Sequence, residues 1–175
     1  NDRHDAETSG YAFVRGLMKL TDFLRDPSKS NLCNQKINLI AHSMGNYVLR
    51  YALQQAKKIS KGKPLPHIFD QVILTAADED NDAFEHEFKL GGLPDISQRI
   101  TVYFNNDDLV LGASDHFKFN SDRLGHDGAR KPRELPGKVV QVDVSDIITG
   151  DCHSYFENDA RIAKDIVGVD RKSVV

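Results

Sequence analysis

The stretch INLIAHSMGNYVLRYAL, residues 37–53, decides the predicted fold because a strand pattern passes directly into a helix pattern within it. Ile37 to Ala41 form a short, almost continuous apolar run, which is typical of a strand buried on both faces in a parallel sheet. From Met44 to about Lys58, apolar residues recur at helical spacing. Ser43 stands at the join. The stretch therefore predicts a strand, a tight turn that carries Ser43, and a helix.

The rest of the chain continues to alternate between helix and strand patterns, which favours one α/β domain over 1–175, with a parallel sheet flanked by helices. A polar, poorly periodic segment at 107–136 is long for a loop and predicts a lid-like excursion. The patterns predict helices at 6–25, 44–58, 82–90 and 155–167, and strands at 37–41, 71–76, 99–105 and 138–144.

The composition excludes several classes of protein. A chain of 175 residues with 39% hydrophobic residues can bury the core of about one domain. A net charge of -3 provides no basic field, so nucleic acid is not an expected partner. No apolar stretch approaches the roughly 20 residues of a membrane span. Cys33 and Cys152 do not form a disulfide framework, which favours a reducing compartment such as the cytoplasm.

Ser43 fits a nucleophile elbow, a sharp turn between strand and helix that projects a serine hydroxyl from the end of a sheet. The usual pattern is Gly-x-Ser-x-Gly, with small residues where backbone segments pass closely. Here Ala41 replaces the first glycine and Gly45 keeps the second. The amide of Met44, at the start of the helix, suits a developing oxyanion. The competing interpretation is that Ser43 only caps the helix.

A serine nucleophile needs a base, and the base needs an acid that orients it. After an elbow of this type the chain order is serine, acid, histidine. Asp107 and Asp108 follow the third predicted strand and are candidate acids, and Asp78 after the second strand is the rival. His153 follows the last strand, which makes it the candidate base.

Other side chains receive lesser predicted roles. His42, beside Ser43, is expected to line the substrate pocket. Phe117 and Phe119 lie in the excursion and are expected to supply apolar substrate contacts. The acidic residues at 78–82 lack the spacing of a calcium loop and predict a solvated acidic turn.

The segments LIAHSMGNYVL, ILTAADED, ITVYFNNDDLVL, DRLG, VDVSD and HSYF together resemble a family of largely uncharacterised, mostly bacterial alpha/beta-hydrolase proteins. The resemblance extends from the first helix to the last. It implies that Ser43 is the nucleophile, Asp108 the acid and His153 the base. It further implies hydrolysis of an ester or a related acyl bond of a small molecule, without cofactor or metal.

Such folds have strands before the first helix. The resemblance therefore raises the expectation that this sequence lacks those N-terminal strands and is the C-terminal portion of an alpha/beta-hydrolase domain. This sequence shows four strands. In such folds, the loop that donates a second oxyanion amide follows a strand that precedes the first helix. We therefore expect an uncovered sheet edge, which favours association with another chain. Two alternative functions stay open: an acyltransferase with the same three residues, and a non-catalytic hydrolase-like binding or scaffold module.

Overall fold

The computed structural model describes residues 2–26, 36–111, 122–149 and 152–171. Four strands, β1 to β4, alternate with helices. Their bounds are α1 (Asp2–Arg25), β1 (Asn38–His42), α2 (Gly45–Ile59), β2 (Phe69–Thr75), β3 (Ser97–Phe104), α3 (Leu124–Asp127), β4 (Val139–Asp143), α4 (Tyr155–Asn158) and α5 (Ala160–Arg171), with short 3₁₀ turns at Ala83–Glu85, Leu93–Ile96 and Pro132–Glu134.

The four strands form one parallel sheet in the order β1-β2-β3-β4. In this register Ala41 of β1 lies beside Leu74 of β2, and Leu74 beside Val102 of β3. The predicted parallel sheet flanked by helices is confirmed. Because all strands run the same way, the segments that follow β1, β2, β3 and β4 meet at one edge of the sheet.

Alternating side chains of the central strands form two separate apolar cores. On one face, Val72 and Leu74 pack with Leu49 and Leu53 of α2. On the other face, Ile73 and Tyr103 pack with Ile162 and Ile166 of α5. The sheet is therefore covered on both faces at β2 and β3, which holds the carboxyl ends of these strands rigidly. No helix among the described residues is both long enough and apolar enough to cross a membrane.

Helices α1 and α2 approach each other closely because α1 carries a glycine where they touch. A Cβ atom added to Gly10 would lie 2.7 Å from the Cβ of Tyr51 and 2.9 Å from the carbonyl oxygen of Val48. A side chain at that position would push the helices apart. The contact fixes the position of α2 against α1, and α2 begins at Gly45, two residues after Ser43.

Three local predictions differ from the structure. β1 is not buried on both faces, because it lies at the sheet edge and Ile40 stays 47% exposed, uncovered by any helix of the described part. The predicted helix at 82–90 is reduced to the 3₁₀ turn Ala83–Glu85. The predicted helix at 155–167 is split into α4 and α5 at Asp159, whose backbone is extended.

Candidate active site

Ser43 occupies a tight turn between β1 and α2, with a left-handed backbone (φ of 50°) that a residue other than glycine adopts only where neighbours enforce it. Its amide donates to the carbonyl of Thr75, at the end of the adjacent strand (3.1 Å). The fully buried amide group of Asn46 donates to the carbonyls of Ala41 (3.1 Å) and Ser43 (3.0 Å). These bonds hold both sides of the turn, so the backbone strain is maintained by the surrounding structure.

The hydroxyl of Ser43 lies within hydrogen-bond distance of His153, which is 110 residues away in sequence. The Ser43 Oγ to His153 Nε2 distance is 2.9 Å. The other ring nitrogen, Nδ1, lies 2.8 Å from Oδ2 of Asp108. Asp108 follows β3 and His153 follows β4, so the parallel sheet gathers the three side chains at one edge.

Asp108 is fully buried, and each of its carboxylate oxygens accepts hydrogen bonds. Oδ1 accepts from the amides of Val110 and Leu111, each at 3.1 Å, while Oδ2 faces the histidine ring. A carboxylate can only accept, so the proton of a neutral His153 ring resides on Nδ1. The lone pair of Nε2 is then directed at the Ser43 hydroxyl.

The two rival acids lie elsewhere. Asp107 has an exposed side chain, and its amide donates to Oδ1 of Asn105 (3.0 Å). Asp78 lies beside the Ser43 turn, and its amide reaches the Ser43 carbonyl at 3.3 Å. The Asp78 carboxylate, however, faces the guanidinium of Arg123 (Nε to Oδ1, 3.5 Å) and not the histidine ring.

The remaining predicted residues are distributed as follows. Met44 immediately precedes α2, so its amide lies at the N-terminus of that helix, next to Ser43. His42 is half-buried, and its Nε2 lies 3.0 Å from the carbonyl oxygen of His153. Phe117 and Phe119 lie outside the described residues, and their predicted substrate contacts stay predictions.

Sequence reasoning missed two side chains that hold the His153 segment in place. Asn105, fully buried at the end of β3, donates from Nδ2 to the carbonyl of Cys152 (3.1 Å). The Tyr155 hydroxyl accepts from the Ala76 amide (2.8 Å) and donates to the Tyr103 carbonyl (3.0 Å). Burial raises the pKa of this hydroxyl, so it keeps the proton it donates. Their positions in the sequence could have identified them, because Asn105 follows a buried strand and Tyr155 lies two residues after His153.

The acidic turn after β2 is buried, so the prediction of a solvated turn is wrong. Its residues form a charge cluster, which we define as Asp78, Glu79, Asp80 and Asp82 with Arg50, Lys89 and Arg123. Arg123 is fully buried and its Nη1 lies 3.0 Å from Oδ1 of Asp80. Buried charges require partners, and the three basic side chains supply them. Arg50 and Arg123 come from distant parts of the chain, whereas Lys89 lies seven residues after Asp82.

Glu79 is a fully buried carboxyl group of the charge cluster. Burial raises its pKa to about 7, although the attraction of Arg50, at 3.3 Å, opposes that effect. Between pH 4.5, its ordinary pKa, and about 7, the folded protein keeps a proton that the unfolded chain has lost. Protonated Glu79 therefore makes its full contribution to the free energy of unfolding below pH 4.5. That contribution falls as the pH rises through this window.

Glu79→Gln is expected to remove this pH dependence. Relative to the wild type, its free energy of unfolding should rise by about 2–3 kcal/mol between the two ends of the window, because the amide does not ionise. Urea unfolding at a series of pH values measures this, with Glu7→Gln on the exposed side of α1 as a control. Parallel pH curves for wild type and Glu79→Gln would contradict the assignment.

Comparison with known families agrees with this architecture. The model of a family described as alpha/beta hydrolase of unknown function (DUF900) matches residues 2–170. No curated protein and no solved structure shows significant similarity to the chain. The family match extends across every strand of the sheet and across the segments that carry Ser43, Asp108 and His153. The chain therefore belongs to this family of alpha/beta hydrolases.

Proposed function

We propose that the protein hydrolyses a carboxylic ester or a related acyl bond, with Ser43 as nucleophile, His153 as general base and Asp108 as the group that orients the base. One observation carries the proposal: the His153 ring lies 2.9 Å from Ser43 Oγ through Nε2 and 2.8 Å from Asp108 Oδ2 through Nδ1. A serine hydroxyl is a weak nucleophile alone, and this arrangement supplies the base that activates it.

In the first half of the reaction, Ser43 Oγ attacks the acyl carbon while its proton passes to His153 Nε2. The negative charge that develops on the acyl oxygen is stabilised by the Met44 amide, at the N-terminus of α2. Asp108 stabilises the imidazolium that forms and does not take its proton. The tetrahedral intermediate then expels the alcohol oxygen, which receives the proton from His153, and an acyl-Ser43 ester remains.

In the second half, a water molecule replaces the alcohol. His153 takes one proton from the water as the water oxygen attacks the acyl carbon. The bond from the acyl carbon to Ser43 Oγ then breaks, and His153 donates the proton to Ser43 Oγ. A carboxylic acid is released and the enzyme is restored. Water and the leaving alcohol thus occupy the same position relative to Nε2, so the same three side chains serve both steps.

Labelling with a fluorophosphonate probe tests this proposal, because such probes react with activated serines. We expect one probe per chain in the wild type and none in Ser43→Ala. Ser60→Ala, at the opposite end of α2, is the matched control and should label like the wild type. Turnover of 4-nitrophenyl acetate by the wild type and not by Ser43→Ala should accompany the labelling.

Two outcomes would contradict the proposal. Equal labelling of Ser43→Ala and wild type would mean that another group reacts with the probe. A folded wild type that neither labels nor turns over any activated ester would indicate a hydrolase-like module without catalysis.

A further inference from the structure

The backbone around His153 is held by side chains that come from the ends of β1 and β3. His42 Nε2 lies 3.0 Å from the carbonyl oxygen of His153, and Asn105 Nδ2 donates to the preceding carbonyl, that of Cys152, at 3.1 Å. A carbonyl only accepts, so His42 must carry its proton on Nε2. Two successive carbonyls are therefore fixed from two different strands.

These two side chains are neighbours of other residues of the site. His42 directly precedes Ser43, and Asn105 lies three residues before Asp108, whose amide donates to the Asn105 carbonyl at 3.1 Å. Each bond thus ties the histidine segment to the strand end that carries one of its partners. A displacement of the His153 backbone away from Ser43 or Asp108 would lengthen these bonds.

The ring contacts of His42 also point toward His153. The His42 ring lies 4.9 Å, centroid to centroid, from the His153 ring and 4.8 Å from the ring of Phe156 on α4. Its Nε2 is occupied by the bond to the His153 carbonyl. These contacts direct the donor of His42 to the protein backbone. Its predicted role in lining the substrate pocket stays a prediction.

We propose that His42 and Asn105 are positioning residues, which hold the imidazole of His153 in line between Ser43 and Asp108 by fixing the carbonyls of residues 153 and 152. The inference rests on the proposed hydrolase function. Its physical basis is that proton transfer needs the base within hydrogen-bond reach, and a misplacement of about 1 Å can cost about a hundredfold in rate.

The test compares His42→Phe with His42→Gln. Phenylalanine keeps a ring beside His153 and Phe156 but has no donor, whereas the glutamine amide restores a donor at a similar distance from the backbone. The quantities to be measured are the maximal rate constant (kinact) and the half-saturation concentration (KI) of fluorophosphonate labelling, so no natural substrate is needed. We expect His42→Phe to lower kinact by about tenfold to a hundredfold with KI unchanged, and His42→Gln to recover most of it.

Further variants separate a positioning role from a merely structural one. Asn105→Asp keeps the oxygen that accepts from the Asp107 amide but loses the donor to Cys152, and should likewise lower kinact. In a His153→Ala background, His42→Phe should add less than about a twofold loss, because no ring remains to be positioned. The exposed His67, away from the site, provides the control His67→Phe, and melting temperatures verify folding.

The outcomes are distinct. Equal losses in His42→Phe and His42→Gln, a raised KI, or an undiminished loss in the His153→Ala background would overturn the positioning role. A wild type that does not label, or a Ser43→Ala variant that does, would instead overturn the proposed function. Normal labelling at Ser43 with unaffected His42 variants would leave the hydrolase function intact and reject only this inference.

Discussion

Replacing His153 by alanine is expected to lower kcat for 4-nitrophenyl acetate by about four to six orders of magnitude, with little change in KM. The His153 Nε2 atom lies 2.9 Å from Ser43 Oγ. In the proposed mechanism it is the group that takes the serine proton. Because the ring acts in the transition state and not in ground-state binding, the loss should fall on kcat.

Asp108→Asn provides a finer version of the same test, with an expected loss of about 10⁴ in kcat. The asparagine amide would offer a donor to His153 Nδ1, which favours the ring tautomer with its proton on Nε2. Such a ring cannot accept from Ser43. Asp107→Asn is the matched control, because Asp107 is adjacent in sequence, equal in charge and exposed. If the two variants lost activity equally, the assignment of the acid would be wrong.

Gly125→Ala is expected to destabilise the protein by more than about 4 kcal/mol or to prevent folding. A Cβ atom at Gly125 would lie 2.0 Å from the Ala77 nitrogen and 2.3 Å from the Ala76 carbonyl carbon, which are backbone atoms that cannot move independently. The same glycine donates its amide to the Ala77 carbonyl and accepts from the Asn105 amide, each at 3.0 Å. A methyl group there would break the link between the ends of β2 and β3.

Urea unfolding and fluorophosphonate labelling both report on this variant. Gly137→Ala is the control, because a Cβ atom there would meet no heavy atom within 4 Å. Where Gly125→Ala still folds, its labelling rate should fall, since the end of β3 carries Asn105 and the end of β2 holds the Ser43 turn through the Thr75 carbonyl. A loss of less than about 1 kcal/mol would contradict the close approach at Ala76 and Ala77.

The features that could be predicted from the sequence are those set by local patterns. The apolar run before Ser43, the helical spacing after it and the alternation of elements indicate β1, α2 and a parallel sheet, because each depends on residues close in sequence. Chain order also indicates Ser43, His153 and the three candidate acids, since a parallel sheet brings the ends of its strands together. The choice of Asp108 among the acids comes from the resemblance to the family.

The features that could not be predicted depend on partners distant in sequence. The acidic turn at 78–82 has the composition of a solvated loop, and it is buried because Arg123 reaches it from more than forty positions away. Likewise, nothing near His42 in sequence indicates that its donor faces the His153 carbonyl. Ile40 has the composition of a buried strand residue, but its exposure depends on what covers the sheet edge.

The close packing at Gly125 also determines how the site can move. Backbone hydrogen bonds run from the Ser43 amide to Thr75, from the Gly125 amide to Ala77, and from the Asn105 amide to Gly125. Ser43 is thus linked to the central strands by the same kind of bonds that hold the sheet together. In terms of amide hydrogen exchange, these three amides belong to the cooperative unit of the core, so they should open to solvent only when the sheet itself unfolds. Fluctuations of the site on faster timescales are then left to side chains, and the backbone that carries Ser43 and Asn105 acts as a fixed frame.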